Sequence, residues 1–166
     1  VDEVITPERM RQSRAGFATG LSVVAAEVDG EIVGMPANSL VSVSLDPPLV
    51  SLSFAHTSTT WPVLRRAERW GISVLGAEQE QVLSDLRRPT AERFDGIDAE
   101  VSGQAAFVRG SLATIEVEPL TAIEAGDRTL MLLEVHALDR DESQEPLVFF
   151  DSRVHRIAAD PTSPMG

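Results

Sequence analysis

Residues 34–60 read GMPANSLVSVSLDPPLVSLSFAHTSTT, and two runs in this stretch, Leu40-Val41-Ser42-Val43-Ser44-Leu45 and Leu49-Val50-Ser51-Leu52-Ser53-Phe54, come close to strict apolar/polar alternation. That period belongs to a half-buried strand. Asp46-Pro47-Pro48 separates the runs, and the prolines can continue neither a helix nor a central ladder. The stretch therefore predicts paired strands in one sheet. It leaves Ala37-Asn38-Ser39 and Thr57-Ser58-Thr59-Thr60 as two hydrogen-bonding rims.

Working outward, the residues before this block predict a helix and a hairpin. Thr6 can cap, Pro7 suits the first helical position and Glu8 meets the positive dipole end, so a helix runs from there to about Gly16 or Thr19. Residues 21–28 are mostly apolar and β-rich. Asp29-Gly30 is a strong two-residue turn signal, with Glu31-Ile32-Val33-Gly34 as the partner strand. After the block, the Thr57–Thr60 rim offers N-cap chemistry to a short helix containing Trp61-Pro62-Val63-Leu64. Residues 70–75 read as a strand, and residues 78–88 as a helix with Val82, Leu83 and Leu86 on one face, ending near Pro89. No regular element is expected over 90–103. Residues 113–125 and 129–138 are long β-type runs joined at Gly126-Asp127-Arg128, and Leu147-Val148-Phe149-Phe150 closes the set. Six to eight strands joined mainly by hairpins predict a mostly β fold with a few helices and an antiparallel sheet. Closing it into a barrel would remove its edges. The expected layout is one domain over 1–158 and a flexible tail over 159–166.

Composition narrows the function. The chain has 166 residues, is 43% hydrophobic and carries a net charge of -12, which gives it core enough for one domain. Its 14 basic residues form no run longer than a pair, so there is no footprint for nucleic acid, and the acidic surface argues against anionic membranes. With no cysteine, thiol catalysis, disulfides and thiolate metal sites are out of reach. Redox chemistry would belong to a bound cofactor. No apolar run reaches the ~20 residues of a membrane span and the first twenty residues lack a signal-peptide layout, so the expected location is cytoplasmic.

Motifs for a doubly wound nucleotide domain, a Walker loop or a nucleophile elbow are absent. His56, His136 and His155 lie far apart, with His136 in a strand and His155 in the tail region, and surface or strand histidines explain them better than a metal site. The rims admit two readings. Ser42, Ser44, Ser51 and Ser53 can be solvent-side strand positions, with Ser58 or Thr59 capping a helix. The same hydroxyls beside a helix start can receive a phosphate, while Ala37 and Ser39 let a flat ring lie on backbone amides. Gly126-Asp127-Arg128 is by default a hairpin turn, and its arginine could hold a dinucleotide pyrophosphate or carboxamide. Phe17 and the Arg93-Phe94 pair are by default packing residues.

Phe17-Ala18-Thr19-Gly20-Leu21-Ser22-Val23-Val24, then residues 34–50, then Arg93-Phe94 and Gly126-Asp127-Arg128-Thr129 follow one another as the signatures of a known family do. The chain resembles the flavin reductase-like family, the reductase components of two-component flavin-dependent monooxygenases. The resemblance implies an FMN-binding split β-barrel of antiparallel Greek-key type that forms a homodimer and binds FMN or FAD. It implies NADH or NADPH as hydride donor and a separate monooxygenase that receives the reduced flavin by diffusion. By position, Met35, Pro36, Ala37, Asn38 and Ser39 would line the flavin ring. Ser53, Phe54, Ala55, Thr57, Ser58, Thr59 and Thr60 would hold ribityl and phosphate, with Phe94 also at the cofactor and Phe17 and Arg128 at the nicotinamide donor. The chain departs from the family pattern in having Pro36 in place of threonine, Arg128 in place of histidine, and residues 149–156 in place of a stretch containing tyrosine and glycine.

Overall fold

The computed structural model describes residues 4–158. The expected tail over 159–166 lies outside them. Helix α1 (Pro7–Arg14) begins as its sequence dictates, with Thr6 Oγ1 accepting the Arg9 amide at 3.2 Å. It ends sooner than Gly16, because the amides of Gly16 and Phe17 fold back onto the carbonyls of Ser13 and Arg14 and tighten the last turn. A two-residue strand β1 (Thr19–Gly20) leads into β2 (Ser22–Val28). Asp29 and Gly30 both take positive φ, 53° and 81°, which is the type I′ turn their sequence announces.

Strand β3 (Glu31–Ala37) runs three residues past the expected end and includes Pro36. It can do so because β3 pairs with β2 alone, and an edge strand tolerates a residue with no amide proton. Strands β4 (Val41–Leu45) and β5 (Pro48–Ala55) form the expected hairpin, and Pro48 opens β5 in register with Leu45. Their burial differs from expectation. β5 is a core strand, with Leu52 and Phe54 at 0% and 1% exposure, whereas β4 is an open edge, with Val41, Val43 and Leu45 exposed by 57%, 48% and 92%.

Helix α2 (Trp61–Leu64) and strand β6 (Trp70–Val74) follow as expected. The segment predicted as one helix over 78–88 divides into a 3-10 turn, Ala77–Gln79, and α3 (Glu80–Asp85), with Leu83 and Leu86 buried. Residues 90–103 are more ordered than expected, with a 3-10 turn at Thr90–Glu92 and then β7 (Ala99–Ser102), which pairs with β8 (Ala105–Val108) around Gly103 at φ 65°. The long strands β9 (Ala113–Ala125) and β10 (Arg128–Arg140) are joined by Gly126-Asp127 alone, so Arg128 is the first residue of β10 and not part of the turn. Strand β11 (Leu147–Phe150) pairs with β12 (Arg153–Arg156), which takes His155 out of a tail and into a ladder.

Twelve strands among the described residues thus exceed the six to eight expected. They form one large sheet in the order β4-β5-β10-β9-β6-β2-β8-β7, with β3 added on β2, and a small sheet β1-β11-β12. Every strand pairing is antiparallel, in keeping with a split barrel. One core cluster fills the large sheet around three rings. Phe54 stacks on Trp61 at 4.2 Å and 7°, and Trp70 meets both edge-on at 5.6 Å. A second cluster, with Leu21, Leu75, Leu86 and Leu147, joins α3 and β11 to the other face of β2.

Candidate functional site

The first rim of the 34–60 block is tied to β5 through one hydroxyl. Ser39 Oγ accepts the Ser53 amide at 3.1 Å and donates to the Ser53 carbonyl at 3.4 Å, fixing the chain after β3 against β5. Further along, Ser58 Oγ accepts the amides of Thr60 and Trp61 at 3.2 and 3.1 Å and lies 3.9 Å from Met35 Sδ. Ser58 thus holds the entry to α2, whose N-cap residue is Thr60, and also closes the gap to β3.

Arg93 braces the same corner from outside, donating to Thr60 Oγ1 at 2.8 Å and to the Gly34 carbonyl at 3.2 Å. Gly34 is a close-approach glycine, since a Cβ there would stand 2.5 Å from the Val24 carbonyl oxygen, 2.7 Å from Ala25 Cβ and 2.9 Å from Phe94 Cζ. Phe94 is therefore a floor beneath β3, half-buried against the second core cluster. Phe54 turns its ring into the first core and offers a ligand only its backbone, and Thr60 is 2% exposed. Thr57 and Thr59 stand exposed on the turn between β5 and α2.

A cavity of about 410 Å³ opens beside Asn38 and Ser39, with Phe17 and Thr19 from the start of the small sheet and Phe149 from β11 around it. A smaller neighbour of about 220 Å³ shares Asn38 and Phe149 and adds Pro36 and Ala37. These dimensions fit small-molecule sites. Among the described residues, Thr19 Oγ1 is the buried side-chain polar atom with no hydrogen-bond partner.

Arg128 lies elsewhere. It pairs with Ala55 in the β5–β10 ladder and does not reach either cavity. Around it, the Asp127 carbonyl accepts the His56 amide at 3.0 Å, His56 Nε2 sits 2.7 Å from Glu124 Oε2, and Thr129 donates to Glu124 Oε1 at 2.9 Å. The Thr129 hydroxyl first, and His56 after it, hold the Glu124 carboxyl below its ordinary range. His136 sits 2.9 Å from Glu118 and 3.7 Å from Glu134 on the open part of the β9–β10 hairpin. Their ligand atoms lie within 4.8 Å of one another, and histidine–carboxylate pairing accounts for the trio. Of the sequence candidates, Pro36, Ala37, Asn38, Ser39 and Phe17 gather at the cavities, while Met35, Ser53, Ser58, Thr60 and Phe94 support them from behind. Thr19 has no sequence signal beyond its place in the Phe17–Val24 motif, and Arg11 and Arg14, which also line the larger cavity, have only their spacing of three on a helix.

Residues 13–158 match the family described as flavin reductase like domain. The chain belongs to the flavin reductase-like family. This reductase-like chain is 38% identical over 141 residues to the FMN reductase (NADH) SmoA of Agrobacterium fabrum, covering 84% of the chain and 79% of that protein. It is 29% identical over 163 residues to the reductase subunit of a flavin-dependent monooxygenase from Rhodococcus jostii, covering 98% and 84%. A probable flavin reductase of Rhizobium meliloti is 34% identical over 82% of this chain, which spans 45% of that relative's length. The solved NADH:FAD oxidoreductase of Streptomyces globisporus, in complex with NAD and FAD fragments, superposes with a TM-score of 0.87 at 30% identity, covering 96% of this chain and 99% of that one. Among the described residues no helix of the reductase-like chain is long and apolar enough to cross a membrane.

Proposed function

We propose that this chain is an NADH-dependent flavin reductase that reduces FMN or FAD and releases it to a separate monooxygenase. The carrying observation is the cavity at Asn38–Ser39, which combines the apolar side chains of Phe17, Leu40, Val41 and Phe149 with the small polar residues Ser39 and Ser152. Its donor set suits a flavin, which presents an apolar ring with one hydrogen-bonding edge. A bound flavin supplies the two-electron acceptor, since no side chain here does redox chemistry. Pro36, Ala37 and Asn38 would lie along the ring, and Ser39 would keep that wall in register with β5. The exposed Thr57 and Thr59 with the backbone of Ser53, Phe54 and Ala55 would take ribityl and phosphate, with Ser58 and Thr60 shaping the turn. Phe17, 75% exposed at the cavity mouth, would cover the nicotinamide. Met35 and Phe94 are supports behind the ring.

The molecule works as a homodimer in this proposal. Val41, Ile123, Leu130 and Leu132 fall on the outward face of β4, β9 and β10, where an acidic protein gains little by leaving apolar side chains wet. A second copy laid on that face would bring Arg128 of each toward the other's nucleotide. The cytoplasm, where reduced pyridine nucleotides are kept, is the proposed location.

NADH oxidation by the purified protein, with and without added FMN or FAD under limiting oxygen, tests the proposal. Turnover that rises with added flavin is expected. A rate that stays at background with either flavin overturns it.

A further inference from the structure

Resting on the reductase reading, we propose that Arg11 and Arg14 form a clamp for the adenosine diphosphate moiety of a dinucleotide at the mouth of the larger cavity. Every basic side chain in this chain is an arginine, and most of the fourteen are already occupied. Arg66, Arg69, Arg109, Arg153 and Arg156 are in ion pairs. Arg88 and Arg93 donate to carbonyls and Arg65 lies over the Trp61 ring. Among the described residues, no ion pair or side-chain hydrogen bond holds Arg11 or Arg14, in a chain whose net charge is -12.

Their placement is specific. Three residues apart on α1, they project from one face, and both line the cavity that Phe17, Thr19 and Asn38 share. Arg87, whose side chain has no partner among the described residues, lines the adjoining cavity beyond Asn38 and Phe149. Three arginines without a side-chain partner among the described residues thus line two neighbouring cavities that share Asn38 and Phe149. In a protein whose overall field repels anions, an anionic ligand must be caught by such local groups. Guanidinium forks suit phosphate oxygens in pairs, and two forks suit a diphosphate. Arg128 stands outside both cavities, so the first capture of the diphosphate falls to α1.

Adenosine diphosphate is common to NADH and FAD, and the test separates them. Calorimetric titration of ADP at low ionic strength compares wild type with the Arg11→Gln/Arg14→Gln double variant. Both side chains are exposed and unpartnered, so the double variant keeps the fold, as an unchanged melting temperature would register. ADP affinity should fall by about tenfold or more, and Arg140→Gln, which removes one such charge at the far end of β10, should leave it unchanged. Unchanged affinity in the double variant, or an equal loss in Arg140→Gln, overturns the clamp. A higher KM for NADH but not for reduced nicotinamide mononucleotide assigns it to the hydride donor. Weaker FAD with unaltered FMN assigns it to the flavin. Equal weakening of FMN, which lacks the moiety, overturns it. ADP binding stands even if the wild type fails to oxidise NADH, so the clamp and the reductase reading fail separately.

Discussion

Ser39 has one hydroxyl and uses it in both directions on Ser53. Its replacement by alanine leaves a β5 amide and carbonyl unpaired in a half-buried place. Ser39→Ala should therefore cost about 1–2 kcal/mol in urea unfolding and weaken flavin binding more than it changes the rate at saturation. The hydroxyl itself was visible in the sequence, as part of a rim. Its partner, fourteen residues away across a hairpin, was not, because alternation sets the face of a residue and leaves open which loop folds over it.

Glu124 makes a pH-dependent contribution of predictable sign. Its carboxyl is held below the ordinary value of 4.5 by Thr129 and then His56, so the folded state favours the ionised form. The stabilisation is complete above the ordinary value and is lost as pH falls through the lowered one. Thermal melts of wild type and Glu124→Gln should differ at neutral pH and converge in acid. A gap that persists below the carboxylate range would contradict this assignment.

Strand β3 carries the ring-side wall, and its geometry depends on what lies beneath it. Gly34→Ala would drive a methyl into the Val24 carbonyl, Ala25 and Phe94. The strand must shift outward, so a loss of about 1–3 kcal/mol in stability should come with weaker flavin retention. A variant as stable as wild type would show that the strand yields freely. Hairpins with β-rich runs and turn pairs, such as β2–β3 and β9–β10, were legible because local signals coincide with the pairing. The β7–β8 hairpin was not. Ala105 and Ala106 are helix-favouring residues, selected as buried strand positions because β8 must lie against the glycine of β6, Gly71, where a Cβ would strike the Ala106 backbone. That requirement exists only in three dimensions. Strands β1 and β12 escaped for the same reason, being defined by their partner β11.

The assembly inferred for the molecule rests on the outward face of β4, β9 and β10. Val41→Asp with Ile123→Asp changes two exposed side chains and should leave the monomer folded. Sedimentation equilibrium should then show wild type at twice the chain mass and the variant near 17.9 kDa. A wild-type monomer would remove the dimer, and with it the reach of Arg128 to a neighbouring nucleotide. Edge position was hidden from the sequence here, since the same alternation serves a strand covered by its own chain and one left for a neighbour.

The small sheet β1-β11-β12 contributes Thr19 and Phe149 to the larger cavity, yet it is separate from the nine-stranded sheet that holds the main core. Two layers with separate ladders can open with different free energies. Amide protons of β11 and β12 should then exchange with solvent sooner than those of β2 and β6, with the barrel still intact. A bound dinucleotide bridging α1 and the small sheet would slow that exchange, so ligand would register as protection of one wall of the cavity while the scaffold behind it exchanges as before.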